Sequence, residues 1–517
     1  MMRAMTVVAQ VDQIDTPDVE FSALLPVLVV LAGAVALLVV GSLLSRQSRL
    51  PWHLVTTLLV AAGGIAASVP LWFRVRDDGA ISALADAVRV DGLTLFFGVV
   101  ILVAVILASL LLEGYLRREH LEGSEAYVLV LLSAAGGMIM AGANDLIVVF
   151  IGLEVLSIPV YILAGLHIRR VRSGEAAMKY FVLGAFSSAF MLYGVALVYG
   201  ATGSTNLTDI RSFLATNILT NDIMLLAGLA LLLVGLGFKV AAVPFHSWVP
   251  DVYDGAPSPV VAFMASAVKV AGFAGITRVF VYGFSTYDTK WQPIIYLVAV
   301  LTLVVGSVLA VVQTNVKRML AYSSINHAGF VLIGIQAATA QGVQAALFYL
   351  GTYTFNTIGV FGVATVVGRR GDNAHELSDY RGLAKRSPLL AFAFLVFLLA
   401  QAGVPPLSGF LAKFFVIGAA IDAGSFPLAV AGMVTAVISA FVYLRIVITM
   451  YGDDAEEGAP TFTVPVGARI AITVATVAIF VNGIVPNGLN TAARTAADSA
   501  ITPAVAEPAP EPAAEGP

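Results

Sequence analysis

The chain has 517 residues, 59% of them hydrophobic and 12% charged, with a formal net charge of −4 and a mean hydropathy of +0.93. Soluble proteins carry about 25% charged residues, so this composition is that of an integral membrane protein and gives no nucleic-acid-binding signal. The chain has no cysteine, which excludes disulfides and the usual iron–sulfur ligands, and its six histidines lack the paired spacing of a haem or zinc site.

Residues 1–20 are mixed and have no basic segment leading to a cleavage site, so no signal peptide is read. Apolar runs of about 18–25 residues, each long enough to cross a bilayer, then recur from Phe21 to near Val485. About fourteen spans are predicted. They lie near 21–44, 52–73, 92–112, 126–142, 145–166, 176–199, 222–243, 257–282, 291–313, 319–338, 341–367, 389–420, 426–451 and 466–485. No alternating barrel pattern is present, so the expected class is an all-α polytopic membrane protein.

Loop arginines and lysines set the expected orientation. Odd-numbered loops carry Arg46, Arg49, Arg117, Arg118, Arg169, Arg170, Arg172, Lys317, Arg318, Arg369, Arg370, Arg381, Lys385 and Arg386. Even-numbered loops carry few, Arg74, Arg76, Arg89, Arg211 and Lys290. Odd loops are therefore expected in the cytoplasm and both termini outside. The Ala/Pro/Glu stretch from Thr502 to Pro517 reads as a disordered tail.

Two spans are too long. The seventh runs past Pro244 towards Asp251, through a polar patch holding His246 and Trp248. The twelfth is cut by Gly403, Pro405, Pro406 and Gly409. They stand five spans apart, and Gly/Pro-interrupted helices in matching positions point to a transport site built on an inverted repeat.

Charged residues at membrane depth are costly, about 2.5–3.5 kcal/mol for a central lysine, and mark ion or proton pathways. Glu154 lies near the middle of span five, Lys239 beside the break in span seven, Lys269 midway along span eight and Lys413 beyond the break in span twelve. Burial and a neighbouring carboxylate act on a lysine in opposite senses, which suits it to bind and release a proton. A row of Glu154, Lys239, Lys269 and Lys413 linked by water would be a proton relay. Lys179, early in span six, fits either the relay or snorkelling to the headgroups. Arg278 and Arg445 fit structural pairing or snorkelling, because arginine holds its proton too tightly to pass it on. His246 and His327 are weaker relay candidates, and His167 reads as interfacial.

PFHSWVPDVYDGAPSPV, AYSSINHAGF and GVPPLSGFLAKF closely resemble signature stretches of the antiporter-like membrane subunits of respiratory complex I, over spans four to thirteen. The resemblance implies a fourteen-helix core with inverted repeats of helices four to eight and nine to thirteen, and broken helices seven and twelve. The units expected are 1–120, 121–285, 286–452, 453–490 and a disordered tail, 491–517. It also implies that Glu154 pairs with Lys239, that Lys269 leads to Lys413, and that Lys179 matches a helix-six lysine of the N type. Lys413, where the M type has glutamate, and an end soon after span fourteen, where the L type continues, favour the N type. Asp254 stands where the family usually has glutamate and keeps the charge.

The expectation is a proton-translocating subunit of an NADH–quinone oxidoreductase, with neither cofactor nor metal of its own. NADH, FMN, iron–sulfur clusters and quinone would be handled by partner subunits, with subunits M and K as neighbours in a bacterial cell membrane. The alternatives are a subunit of a multisubunit sodium/proton antiporter, a membrane subunit of a hydrogenase complex, and a scaffold whose charges are structural. A solute transporter would need a polar and aromatic substrate cluster that the sequence lacks.

Overall fold

The computed structural model describes residues 19–43, 51–455 and 461–501. Residues 1–18, Arg46, Arg49 and the tail from Thr502 lie outside these. The described chain is a bundle of helices: α1 (Phe21–Leu43), α2 (Trp52–Asp78), α3 (Gly92–Glu119), α4 (Glu125–Ala141), α5 (Leu146–Ala164) and α6 (Val171–Thr202) come first. An amphipathic α7 (Leu207–Thr216) precedes α8 (Ile223–Val240) and the short α9 (Trp248–Gly255). Then follow α10 (Ser258–Gly283), α11 (Asp288–Val311), α12 (Val316–Gln336), α13 (Ala340–Val367), α14 (Pro388–Ala402), α15 (Ser408–Asp422), α16 (Phe426–Tyr451), α17 (Val466–Ile484) and α18 (Asn487–Ile501).

Eleven helices among the described residues are long and apolar enough to cross a membrane. The other expected spans are α4, with 17 residues, the more polar α12, and the interrupted pair α14 and α15. Starts are set by side-chain caps that satisfy free backbone N–H groups. Asp91 caps Thr94 at the head of α3, Asn206 caps α7, Asn315 caps α12 and Thr339 caps α13.

The centre is α10, buried throughout, flanked by α3 and α13, which are buried along most of their apolar lengths. A helix apolar all round requires such packing. The peripheral helices α1, α2, α6 and α16 keep one apolar face open, with Phe186 and Val437 exposed on α6 and α16.

Three features depart from expectation. Residues 491–501, assigned to the disordered tail, belong to helix α18, whose Ala493, Ala496 and Ala497 are fully buried. Alanine-rich sequence of low hydropathy reads as tail, yet packs because small residues permit close approach. A hairpin of β1 (Ile81–Ala83) and β2 (Val88–Val90), paired antiparallel with Ile81 opposite Val90, joins α2 to α3. Helix α6 starts at Val171, so its first turns precede the apolar run that defined span six.

Both long spans are interrupted. Helix α8 stops at Val240, where Ala241 turns left-handed (φ 67°) and Pro244 follows without an N–H. The freed groups find partners: Val243 N–H donates to Thr302 Oγ1 (2.9 Å), and the Trp248 indole donates to the Phe238 carbonyl (3.1 Å). Helix α14 stops at Ala402, where Gly403 takes the left-handed conformation (φ 90°) that only glycine adopts without a Cβ penalty.

Candidate functional site

Three of the five singled-out lysine and glutamate side chains are amines buried to at least nine-tenths: Lys239, Lys269 and Lys413. A charge taken from water needs partners in place of its hydration, and each amine finds a different kind.

Lys239, near the end of α8, donates to the Tyr180 hydroxyl at 3.4 Å and lies 5.2 and 5.5 Å from the ring centres of Tyr180 and Tyr161. Ring faces are electron-rich and attract a cation. Tyr180 stacks on Trp248 at 4.3 Å, so the segment after the break closes the box. Glu154 does not hydrogen-bond the amine, and its Oε1 is buried without a partner. The pairing implied by resemblance is therefore not a direct contact in this structure.

Lys269, on α10 just after a π-helical stretch at Met264–Val268, donates to the Ser324 carbonyl (2.6 Å) and to the Ser324 hydroxyl. The Tyr353 hydroxyl donates to the same Ser324 oxygen at 2.9 Å. One residue back on α12, Ser323 bonds the Tyr443 hydroxyl (2.5 Å) and reaches the Gln401 side chain (3.5 Å). His327 sits between Tyr349 (2.6 Å from Nδ1) and Tyr443 (3.2 Å from Nε2), with its ring 5.0 Å from that of Tyr353. At the far end Lys413 donates to the carbonyls of Gln401 (2.7 Å) and Ala402 (3.2 Å), the last residues of α14. Hydroxyl, imidazole and amide groups therefore occupy the space between Lys269 and Lys413, and each can both give and take a hydrogen bond.

The remaining candidates fall elsewhere. Lys179 is half-exposed and makes ion pairs of 2.8 Å with both Glu175 and Asp251; Asp251 also holds Arg318 at 2.9 Å. These groups line a charged surface cleft of about 220 Å³, apart from the buried row. His246 lies in the segment between α8 and α9, its Nδ1 buried without a partner.

Several partners carried no sequence signal. Arg278 is held by Asp91, the residue after β2 and the cap of α3, through Nη1 at 2.6 Å and a second bond from Nη2, and its Nε donates to the Ala141 carbonyl at 2.7 Å. This is the structural pairing expected of an arginine. At the opposite end, Asp372 is wholly buried among Lys317 (3.3 Å), His375 (2.9 Å), Arg170 (3.5 Å) and the Ser258 hydroxyl (2.8 Å). Burial acts to raise its carboxyl, but the charges of Lys317, His375 and Arg170 outweigh it and hold the group well below the ordinary carboxylate value. Lys317 also donates to the Ala256 carbonyl at 2.7 Å. Asp372 therefore staples the loop after α13 to the heads of α10 and α12.

The chain is thus a polytopic helical membrane bundle with two interrupted helices and the buried amines of Lys239, Lys269 and Lys413, with hydroxyl, imidazole and amide groups between the last two. Residues 143–439 match the family described as NADH:quinone oxidoreductase/Mrp antiporter, and the chain belongs to that family. It is 39% identical to NADH-quinone oxidoreductase subunit N of Trichlorobacter lovleyi over 471 residues, covering 91% of this chain and 95% of that one. A chain of respiratory complex I from Thermus thermophilus with bound aureothin superposes with a TM-score of 0.77 at 35% identity, covering 91% of this chain and 99% of that chain. A chain of the Mrp complex from Dietzia sp. DQ12-45-1b gives 0.83 at 22% identity, covering 94% and 98%; this likeness concerns the fold alone.

Proposed function

We propose that the chain is the N-type proton-translocating membrane subunit of a bacterial NADH–quinone oxidoreductase, with Glu154, Lys239, Lys269 and Lys413 as its relay. The observation that carries the reading is the buried row from Lys269 through Ser324, Ser323, His327 and Gln401 to Lys413. Buried ionisable groups aligned across a bundle are expensive and are kept where protons move. The sodium/proton antiporter reading rests on shared fold at 22% identity, whereas the likeness to subunit N reaches 39% identity over nine-tenths of both chains.

In this reading the chain holds no redox centre. NADH, FMN, iron–sulfur clusters and quinone belong to partner subunits, and quinone reduction there drives the protonation changes here. The two interrupted spans belong to five-helix units, 121–285 and 286–452, related by inversion. Subunits M and K are its neighbours, and both termini face outward. Lys239 and Glu154 form the gate on one side, and the proton passes between Lys269 and Lys413. His327, between two tyrosines, serves the inner stretch; Lys179 and His246 stand at its edge.

The test is NADH-driven acidification of inverted membrane vesicles carrying Lys269→Ala, with NADH oxidation and assembled complex measured alongside. Translocation is expected to fall by about tenfold or more while the complex still assembles. Normal pumping in that variant removes Lys269 from the path, and lost assembly with normal pumping per assembled complex supports a structural charge instead.

A further inference from the structure

The last span bends where its hydropathy ends. Helix α17 stops at Ile484, Val485 leaves the helical region (φ −126°, ψ 71°), and α18 resumes at Asn487. Pro486 is the local cause: it has no N–H and disfavours the helical conformation in the residue before it. Just ahead of this bend, Gly483 rests on the loop that interrupts the twelfth span. A Cβ at 483 would lie 2.0 Å from the Pro406 carbonyl oxygen, 2.7 Å from the Leu407 carbonyl carbon and 2.7 Å from the Ser408 nitrogen. All three atoms are backbone, so no flexible side chain can move aside.

That loop joins both parts of the Lys413 site. Before it stand Gln401 and Ala402, whose carbonyls accept from the amine; after it Ser408 begins α15, which carries Lys413 about one and a half turns on. The two half-helices are wedged together at Gly409, where a Cβ would lie 1.8 Å from the Ala400 carbonyl oxygen. A Cβ at Gly403 would meet Lys413 Cδ at 3.2 Å. Any push on residues 406–408 therefore moves the amine relative to the carbonyls that hold it.

We infer that Gly483 is a positioning residue for Lys413: the bend in the last span seats this glycine against the Pro406–Ser408 backbone and fixes the distance between the amine and its two carbonyl acceptors. The inference rests on the reading of Lys413 as a relay member.

The experiment uses the whole complex in native-membrane vesicles and measures protons translocated per NADH oxidised, the pH profile of that ratio, and the amount of assembled complex. Gly483→Ala is compared with Gly467→Ala on the same helix, where a Cβ would lie 2.3 Å from the Leu110 carbonyl oxygen, equally tight but remote from Lys413. Gly483→Ala is expected to lower the ratio about tenfold and move its pH profile, since a displacement of about 1 Å at a reacting group can cost 10²-fold. Gly467→Ala is expected to change only the assembled amount. Pro486→Ala adds no bulk and lets the span straighten; a smaller loss with the same direction of pH shift is expected, and it decides the matter if Gly483→Ala does not assemble.

Unchanged ratios and pH profiles in the Gly483→Ala and Pro486→Ala complexes overturn the inference, as does an equal loss in Gly467→Ala. Lys413→Ala separates the two levels. If it translocates like the parent, the relay reading fails and the positioning role with it; if it is inactive while the Gly483 variant is normal, only the positioning role fails.

Discussion

The two helix breaks solve the same problem with different chemistry. At the first, Lys239 sits before the interruption, on the half-helix itself, and is held by aromatic faces and a single phenol. At the second, Lys413 sits after the interruption and reaches back to two main-chain carbonyls. The last carbonyls of any helix lack partners and carry the negative end of its dipole, so the second break makes its own cation site from backbone. At the first break the Trp248 indole takes the Phe238 carbonyl, two residues before the end of α8. A break therefore does not dictate how an amine is held.

The strongest way to disturb both breaks at once is at Asp372. Its loop leads into α14 and α15, and it binds Ser258 while its partner Lys317 holds Ala256, immediately beyond α9. Asp372→Asn leaves Lys317 and Arg170 buried without their carboxylate, a loss of about 3–5 kcal/mol that lowers the thermal midpoint of the purified complex at pH 7. The folded-state value lies below the unfolded one, so the stabilisation is complete above the ordinary value of about 3.9 and is lost as the pH falls through the depressed folded value. The gap between parent and variant is thus constant across neutral pH; a gap that closes between pH 8 and 6 would assign the effect to another group.

A change at the second break alone is next. Gly403→Ala forces a Cβ into the left-handed region, at about 1–2 kcal/mol, and presses on Lys413. Reduced translocation with normal NADH oxidation is expected; if both are normal, the tight fit at Gly403 has no bearing on the amine. The smallest effect belongs to the first break. Tyr180→Phe keeps the ring faces and removes the hydrogen bond of Lys239, about 0.5–1.5 kcal/mol. Translocation should fall only a few-fold, and a loss as large as that of Lys239→Ala would show that the hydroxyl, not the rings, holds the amine.

The depth of the buried lysines and the places of both breaks were legible because they depend on local sequence. Apolar runs give depth, and Gly/Pro clusters in overlong runs mark the breaks. By contrast, the single prolines Pro26, Pro70, Pro159 and Pro293 lie inside continuous helices. The partners were not legible. Tyr443 meets Ser323, and Gln401 meets Lys413 through its carbonyl, because α12, α14, α15 and α16 pack together, and a single sequence holds no record of which distant helices touch. Arg278 could be read as a structural charge, but not that Asp91 answers it. Lys179, early in span six, is open to either relay or snorkelling, and nothing local shows that Asp251, from a segment 72 residues on, meets it in a surface cleft. Residues 491–501 read as tail because this alanine-rich stretch is interrupted by polar residues and falls below the hydropathy of a span, yet its alanines pack.

The stacking of Trp248 on Tyr180 has an optical side. Tryptophan emission responds to nearby charge, and this indole lies flat against the ring that receives the Lys239 amine, with only Trp52, Trp72 and Trp291 elsewhere in the chain. Subtracting the spectrum of Trp248→Phe would isolate its signal. If Lys239 changes charge during turnover, the difference spectrum is expected to shift, and an unchanged spectrum in working complex would count against such a change.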